Sequence, residues 1–356
     1  MNPLWQIRAL GQQIWLDNLS RPLLDSGELA LLIADDGIAG VTTNPAIFQK
    51  ALADGSAYAD DLARLPAGLS AEERYEQLAI ADVRRACDLL LPTFAAAKGQ
   101  AGYVSLEVSP ALADDAKGTV AAGQRLFAAV GRANLLIKIP ATPAGLQAVT
   151  VLAQSGINVN ITLLFSLEQA DRAAEAWWQG VARRQAEGGE VSSAFSVASL
   201  FLSRVDTHVD AHLPEGSPLR GKAAVAMAKL AWQRWQTRFT GEAFAALAAT
   251  GCPPQRLLWA STGTKNPAYS DLLYVEPLIG PDTITTLPDA TLAALRDHGK
   301  AASTLSGDVA EAEATFAQLA RNGIDMEAVG ATLLADGLKQ FETAYAKLLE
   351  QVGEGK

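Results

Sequence analysis

Cysteine is scarce in this chain: Cys87 and Cys252 are the only two among 356 residues, far apart, with no CxxC spacing and no histidine companion. That argues against a disulfide framework or a zinc site as the basis of the fold, and makes a reducing cytoplasm the default location. Long apolar runs are missing as well. No stretch approaches what a membrane span needs, so no membrane partner is expected. The first ten positions, Met1–Leu10, mix polar and charged side chains without an apolar segment, so no secretory signal is expected. Positive charge is also short. Lys and Arg number 29 against 39 Asp and Glu, giving a net charge of −10. This balance argues against nucleic acid as a partner. It also requires any phosphate site to rest on a few specific Arg or Lys residues working against the global field.

What is present is ordinary globular material, 49% hydrophobic and 19% charged, enough for a sizeable core. Length alone suggests two domains, but α/β barrels run this long as one. With no repeat, low-complexity tract or linker, residues 1–356 read as one domain with helical additions, the last of them over 308–356.

Short apolar runs alternate with longer amphipathic segments. The runs Ile14–Asp17, Gly40–Thr43, Tyr103–Val108, Leu135–Ile139, Ile157–Leu163, Ala194–Ala198, Leu257–Ser261 and Thr283–Thr286 are mostly rich in Val, Ile and Leu. They lack clean alternation, as strands covered on both faces do. Eight is the number a closed (β/α)8 TIM-type barrel needs. Helices are expected over Ala71–Ala97, with Leu78, Val83, Cys87, Leu90 and Leu91 on one face; over Ser166–Ala186, opened by a Ser166/Gln169 capping box and stopped by Gly188 and Gly189; and over Gly221–Phe239. The stretch Leu202–Pro254 has room for two or three helices. Ala310–Arg321 and Met326–Leu349 follow the eighth strand and are expected outside the barrel, with the tail Gly353–Lys356 frayed.

A barrel of this kind places its active site at the C-terminal ends of its strands. Asp17, Asn44, Glu107, Lys138, Asn160, Thr162 and Ser199 all fall at or near those ends. Taken singly, each is a polar residue that opens a loop; their recurrence is what suggests a site. Lys138 lies inside Leu135–Leu136–Ile137–Lys138–Ile139–Pro140. Burial disfavours an ammonium and exposes a neutral amine able to attack a ketone. The competing reading is a core lysine paired with Glu107 as a structural ion pair. Glu107, itself flanked by Leu106 and Val108, is suited to passing protons during carbinolamine formation and loss of water. Thr162 offers a hydroxyl for that water, and Asp17 a second carboxylate in a different environment for proton transfer at another carbon. For phosphate, Arg204 follows the sixth run, and Ser261–Thr262–Gly263–Thr264–Lys265 forms a Gly-containing loop after the seventh.

Histidines are few. His208 and His212 share i,i+4 spacing near Asp206 and Asp210, but without an HExxH-like pattern they read as a solvated helix face rather than a metal site. The tryptophans, including Trp177–Trp178, Trp232 and Trp235, lie on helical patterns and read as packing.

Several segments together resemble the transaldolases, particularly their longer bacterial form. They are Trp15–Leu16–Asp17–Asn18–Leu19–Ser20–Arg21, Gly40–Val41–Thr42–Thr43–Asn44–Pro45, Ser105–Leu106–Glu107–Val108, Ile137–Lys138–Ile139–Pro140–Ala141–Thr142, Gly156–Ile157–Asn158–Val159–Asn160–Ile161–Thr162–Leu163–Leu164–Phe165–Ser166 and Leu258–Trp259–Ala260–Ser261–Thr262–Gly263. The resemblance spans most of the chain. It implies a class I aldolase-like barrel with no metal and no organic cofactor. Lys138 would form a Schiff base with a ketose phosphate, and Asp17 would take the C4 hydroxyl proton. Glu107 and Thr162 would manage water. Asn44, Asn160 and Ser199 would bind sugar hydroxyls, and Arg204 the phosphate, with Ser261 of the loop after the seventh run a further substrate-binding candidate. Shorter transaldolases carry a second arginine where this chain has Gly263, which shifts that expectation to Lys265. Relatives fused to phosphoglucose isomerase have a first half ending near Lys356, so only the transaldolase activity is expected, from a monomer or homodimer. The alternatives are a fructose 6-phosphate aldolase-like lyase, against which Phe201 would wall off water, and a phosphosugar-binding barrel without catalysis.

Overall fold

A computed structural model describes residues 2–353, residue 54 excepted. Its centre is a closed barrel of eight parallel strands in chain order: β1 (Gln12–Leu16), β2 (Gly40–Val41), β3 (Tyr103–Glu107), β4 (Leu135–Pro140), β5 (Val159–Leu164), β6 (Ser196–Phe201), β7 (Arg256–Ala260) and β8 (Thr283–Leu287), with β8 closing on β1. Each expected run overlaps one of them, with ends that differ by one to three residues for most. Strands β4, β5 and β6 are buried along their whole length, the physical reason their sequences do not alternate. β2 is short, and its Gly40 is required by packing: a Cβ there would lie 2.5 Å from the Trp15 ring.

Helix α1 (Pro3–Ala9) precedes β1, and α2 (Arg21–Asp25) and α3 (Glu28–Asp36) follow it. Between β2 and β3 lie α4 (Pro45–Ala53), α5 (Ala59–Arg64) and α6 (Ala71–Ala96). Single helices α7 (Ala116–Val130), α8 (Pro143–Gln154) and α9 (Leu167–Ala186) link β3 through β6. The β6–β7 connection holds α10 (Ser203–Ala211), α11 (Ala223–Thr240) and α12 (Glu242–Ala248). After β8 come α13 (Asp289–His298), α14 (Val309–Arg321) and α15 (Met326–Gly353). No helix among the described residues is long and apolar enough to cross a membrane.

Local details refine the sequence reading. In α6, Leu78, Val83, Cys87 and Leu90 are buried but Leu91 is 43% exposed, one step too far round the helix to share their face. At the start of α9 the Ser166 hydroxyl accepts the Gln169 N–H, but the Gln169 side chain reaches back to the N–H of Phe165 rather than to that of Ser166. Trp177 and Trp178 on α9 and Trp235 on α11 pack against Phe239 and Phe244. The expected frayed tail lies outside the described residues apart from Gly353, which ends α15.

How the last two helices pack was open in the sequence. α14 packs on α11, on the outside. α15 instead runs against α4, α6, α10 and the end of β5, across the mouth where the strands end. An aromatic series ties it down: Tyr345 meets Tyr75 edge-on at 5.5 Å, and Tyr75 meets Phe48 at 5.6 Å. The Tyr345 hydroxyl also donates to Glu72. Its amphipathic pattern marked an apolar face without saying which surface that face covers.

Candidate active site

At the C-terminal end of the barrel lies a cavity of about 610 Å³. Asp17, Asn44, Lys138, Thr162, Ser199, Arg204, Ser261 and Lys265 line it. Strand register explains the grouping, because Glu107 pairs with Lys138, Lys138 with Asn160 and Pro140 with Thr162 on adjacent strands.

Lys138 is buried, and its Nζ donates to the Thr43 carbonyl at 2.7 Å. Glu107 Oε1 is 3.3 Å from the same nitrogen. Neither Glu107 oxygen has a hydrogen-bond partner of good geometry, and burial raises its carboxyl to about 7, an effect the Lys138 charge opposes and the Asp17 charge assists. Such a group exchanges protons readily near neutrality. Glu107 does not line the open cavity; it stands behind Lys138. The Thr162 hydroxyl is buried without a hydrogen-bond partner and faces the cavity. It sits where the β5–β6 register shifts, and the next residue, Leu163, has φ +61, a local irregularity that re-aims the strand end.

Across the cavity, the Asp17 carboxyl is raised by burial, while the Thr42 hydroxyl donates to it at 2.7 Å and Lys138 and Lys265 favour its charged form. The Thr42 hydroxyl also lies 2.6 Å from that of Thr286, so this pair fixes the carboxylate. Nothing about Thr42 within its Thr–Thr–Asn–Pro run distinguished it beforehand. The Asn44 side chain accepts the Ile47 N–H at the start of α4, which opens with Pro45.

Asn160 departs from expectation. It lies beneath the cavity wall, donating to Ser105 at 3.0 Å and accepting from Ser199 at 2.7 Å. Both ends of its amide are engaged, so it orients Ser199 instead of facing the cavity. Arg204 behaves in the opposite way: one guanidinium nitrogen is buried without a hydrogen-bond partner, and burial lowers its pKa with no carboxylate to offset it. Its guanidinium carbon stands 5.4 Å over the Phe201 ring, which also borders the cavity. Ser261 has φ +53, and its hydroxyl meets that of Ser203 at 2.8 Å. Lys265 is exposed at the rim. A Cβ on Gly263 would meet nothing nearer than 3.7 Å.

Sequence reading missed the contribution of α15, which supplies Leu333, Asp336, Gln340 and Phe341 to the cavity. The Phe341 ring lies 5.7 Å from Lys138 Nζ. It also dismissed His208, which lines the cavity one turn after Arg204 and stacks on His212 at 4.7 Å. Burial and His212 lower the His208 pKa, and Asp336 opposes them. The solvated-face reading of this helix fails for Asp206 and Asp210, which are buried. No group of three or more His, Cys, Asp or Glu among the described residues is placed to hold a metal ion.

A parallel eight-stranded barrel with a lysine buried between a carbonyl and a carboxyl, opening on a cavity with an uncompensated arginine, defines a class I aldolase-type barrel. Comparison narrows the class. The profile of the Transaldolase/Fructose-6-phosphate aldolase family matches residues 14–352, and the chain belongs to that family. Similar relatives include the "Transaldolase" of Thiobacillus denitrificans (strain ATCC 25259 / T1), 57% identical over 99% of this chain and 100% of its own length. The "Transaldolase" of Neisseria gonorrhoeae (strain ATCC 700825 / FA 1090) is 53% identical over 98% and 99%. "Transaldolase 2" of Nostoc sp. (strain PCC 7120 / SAG 25.82 / UTEX 2576) is 43% identical over 100% and 98%.

Proposed function

We propose that this chain is a transaldolase. It moves a dihydroxyacetone unit from sedoheptulose 7-phosphate or fructose 6-phosphate to glyceraldehyde 3-phosphate or erythrose 4-phosphate, as in the pentose phosphate pathway. The observation that carries the reading is Lys138 Nζ, held 2.7 Å from the Thr43 carbonyl and 3.3 Å from Glu107 at the edge of a cavity that also holds Asp17 and Arg204.

In this reading the Lys138 nitrogen attacks the ketose C2, and Glu107 with Thr162 delivers the proton that lets the carbinolamine oxygen leave as water. Asp17, steadied by Thr42, takes the C4 hydroxyl proton as the C3–C4 bond breaks. The bonding electrons pass into the protonated imine, giving an enamine that stays attached while the aldose phosphate departs. An incoming aldehyde reverses these steps, and hydrolysis of the imine releases the new ketose. Asn44 and Ser199 hold sugar hydroxyls, with Asn160 behind Ser199. Arg204, Ser261 and Lys265 take the phosphate. With both cysteines free and buried, the cytoplasm suits the enzyme, as a monomer or homodimer with no nucleic-acid partner.

The family name also covers a lyase that releases dihydroxyacetone to water. Phe201 and Phe341 favour transfer, because both set apolar surface in the cavity against a water that would protonate the enamine carbon and so commit the bound dihydroxyacetone to release. Incubation with fructose 6-phosphate decides the matter. Transfer requires that product form only when an acceptor aldose phosphate is supplied. Free dihydroxyacetone accumulating equally with and without acceptor contradicts it.

A further inference from the structure

The β7–β8 connection, residues 261–282, is the one link between successive strands with no α-helix among the described residues. Its own backbone hydrogen bonds form short turns between Asn266 and Leu278, including a 3-10 turn at Glu276–Leu278, so its position against the barrel depends on contacts with other elements. It carries Ser261 and Lys265 to the cavity, while α10 brings Arg204, whose neighbour Ser203 meets Ser261 through its N–H at 3.0 Å and its hydroxyl at 2.8 Å.

On the face of α10 turned away from the cavity, Asp206 and Asp210 are one helical turn apart, and both are buried. Asp206 accepts the Tyr274 hydroxyl at 2.9 Å and the Ala224 N–H at 2.8 Å. Asp210 accepts the Tyr269 hydroxyl at 2.6 Å and the Gly221 N–H at 2.9 Å. Gly221 has φ +72, and a Cβ there would lie 2.9 Å from the Tyr269 ring, so this corner closes only around glycine. Each aspartate thus holds one tyrosine of the loop and one N–H at the start of α11. Burial raises Asp206 to about 7, and the two donors oppose that shift. Neither residue touches the cavity.

We infer that Asp206–Tyr274 and Asp210–Tyr269 form a clamp between α10 and the β7–β8 loop, setting the spacing between Arg204 and the Ser261/Lys265 side of the phosphate-binding end. These are positioning residues, and the inference rests on reading the cavity as a sugar phosphate site. Removing one tyrosine hydroxyl loosens the loop and leaves Lys138, Glu107 and Asp17 in place.

The test uses Tyr274→Phe and Tyr269→Phe in the full chain, with two readouts. One is KM for fructose 6-phosphate. The other is the rate at which borohydride traps dihydroxyacetone, which has no phosphate, on the enzyme. Tyr274→Phe is expected to raise KM about three- to tenfold with trapping changed by less than about twofold. The half-buried Tyr269→Phe is expected to move KM less, in the same direction, and provides the test should Tyr274→Phe fold poorly. Unchanged KM in the folded variants, or KM and trapping impaired in parallel, overturns the clamp alone. A wild-type chain that dihydroxyacetone does not label overturns the sugar phosphate reading and the clamp with it.

Discussion

Gly330→Ala tests whether α15 is fixed over the barrel mouth. A Cβ on Gly330 would come 2.6 Å from the Ser166 Cβ and 3.1 Å from its hydroxyl oxygen. Neither neighbour is the far end of a flexible chain, and Ser166 is the N-cap of α9. Restoring ordinary contact needs a shift of about 1 Å of α15 from α9. Alanine by itself favours a helix over glycine by about 1 kcal/mol. Overpacking costs about 1–3 kcal/mol and loss of the cap about 1 kcal/mol. The balance is a net loss of about 1–3 kcal/mol, read as a melting temperature lower by several degrees. Because α15 also carries Phe341 to within 5.7 Å of Lys138 Nζ, turnover with fructose 6-phosphate should fall too. Gly337→Ala is the control. Its Cβ would meet the Leu163 Cδ2 at 3.1 Å, a side-chain end able to yield, so stability should stay level or rise by up to about 1 kcal/mol. A Gly330→Ala protein that melts at or above wild type with unchanged kinetics refutes the reasoning.

Lys265→Ala should raise KM for fructose 6-phosphate about two- to fivefold, with the difference shrinking at high salt, as for an exposed ion pair. An untouched KM removes Lys265 from the phosphate site. Asp206→Asn addresses pH. The Asp206 carboxyl is raised on folding from 3.8 to about 7, so its contribution to stability is full below about pH 4 and is lost as pH rises through about 7. Relative to wild type, Asp206→Asn should therefore melt higher at pH 8 than at pH 5; a constant difference would show that Asp206 does not titrate in this window.

The barrel was legible because parallel strands buried on both faces leave continuous apolar runs, and β4, β5 and β6 do so plainly. Most of the cavity wall was legible for a related reason: a polar side chain such as Lys138 inside such a run has few places to go. What escaped was decided by contacts distant in sequence. The pattern of α15 marked an apolar face, but only the fold shows that it lies over the mouth and brings Phe341 to the lysine. On α10, helical spacing grouped His208 with Asp206 and Asp210 without showing which side faced water. The structure turns His208 toward the cavity and buries the aspartates against Tyr269 and Tyr274. Asn160 was located correctly along β5, yet Ser105 and Ser199 take up its amide, a pairing set by strands β3 and β6.

Borohydride reduction with fructose 6-phosphate, followed by mass analysis of the labelled peptide, tests the Lys138 chemistry most directly. The account predicts one three-carbon adduct, on Lys138, absent in Lys138→Ala and still formed in Asp17→Ala when dihydroxyacetone replaces the sugar phosphate. Labelling elsewhere, or none in the wild-type chain, contradicts it.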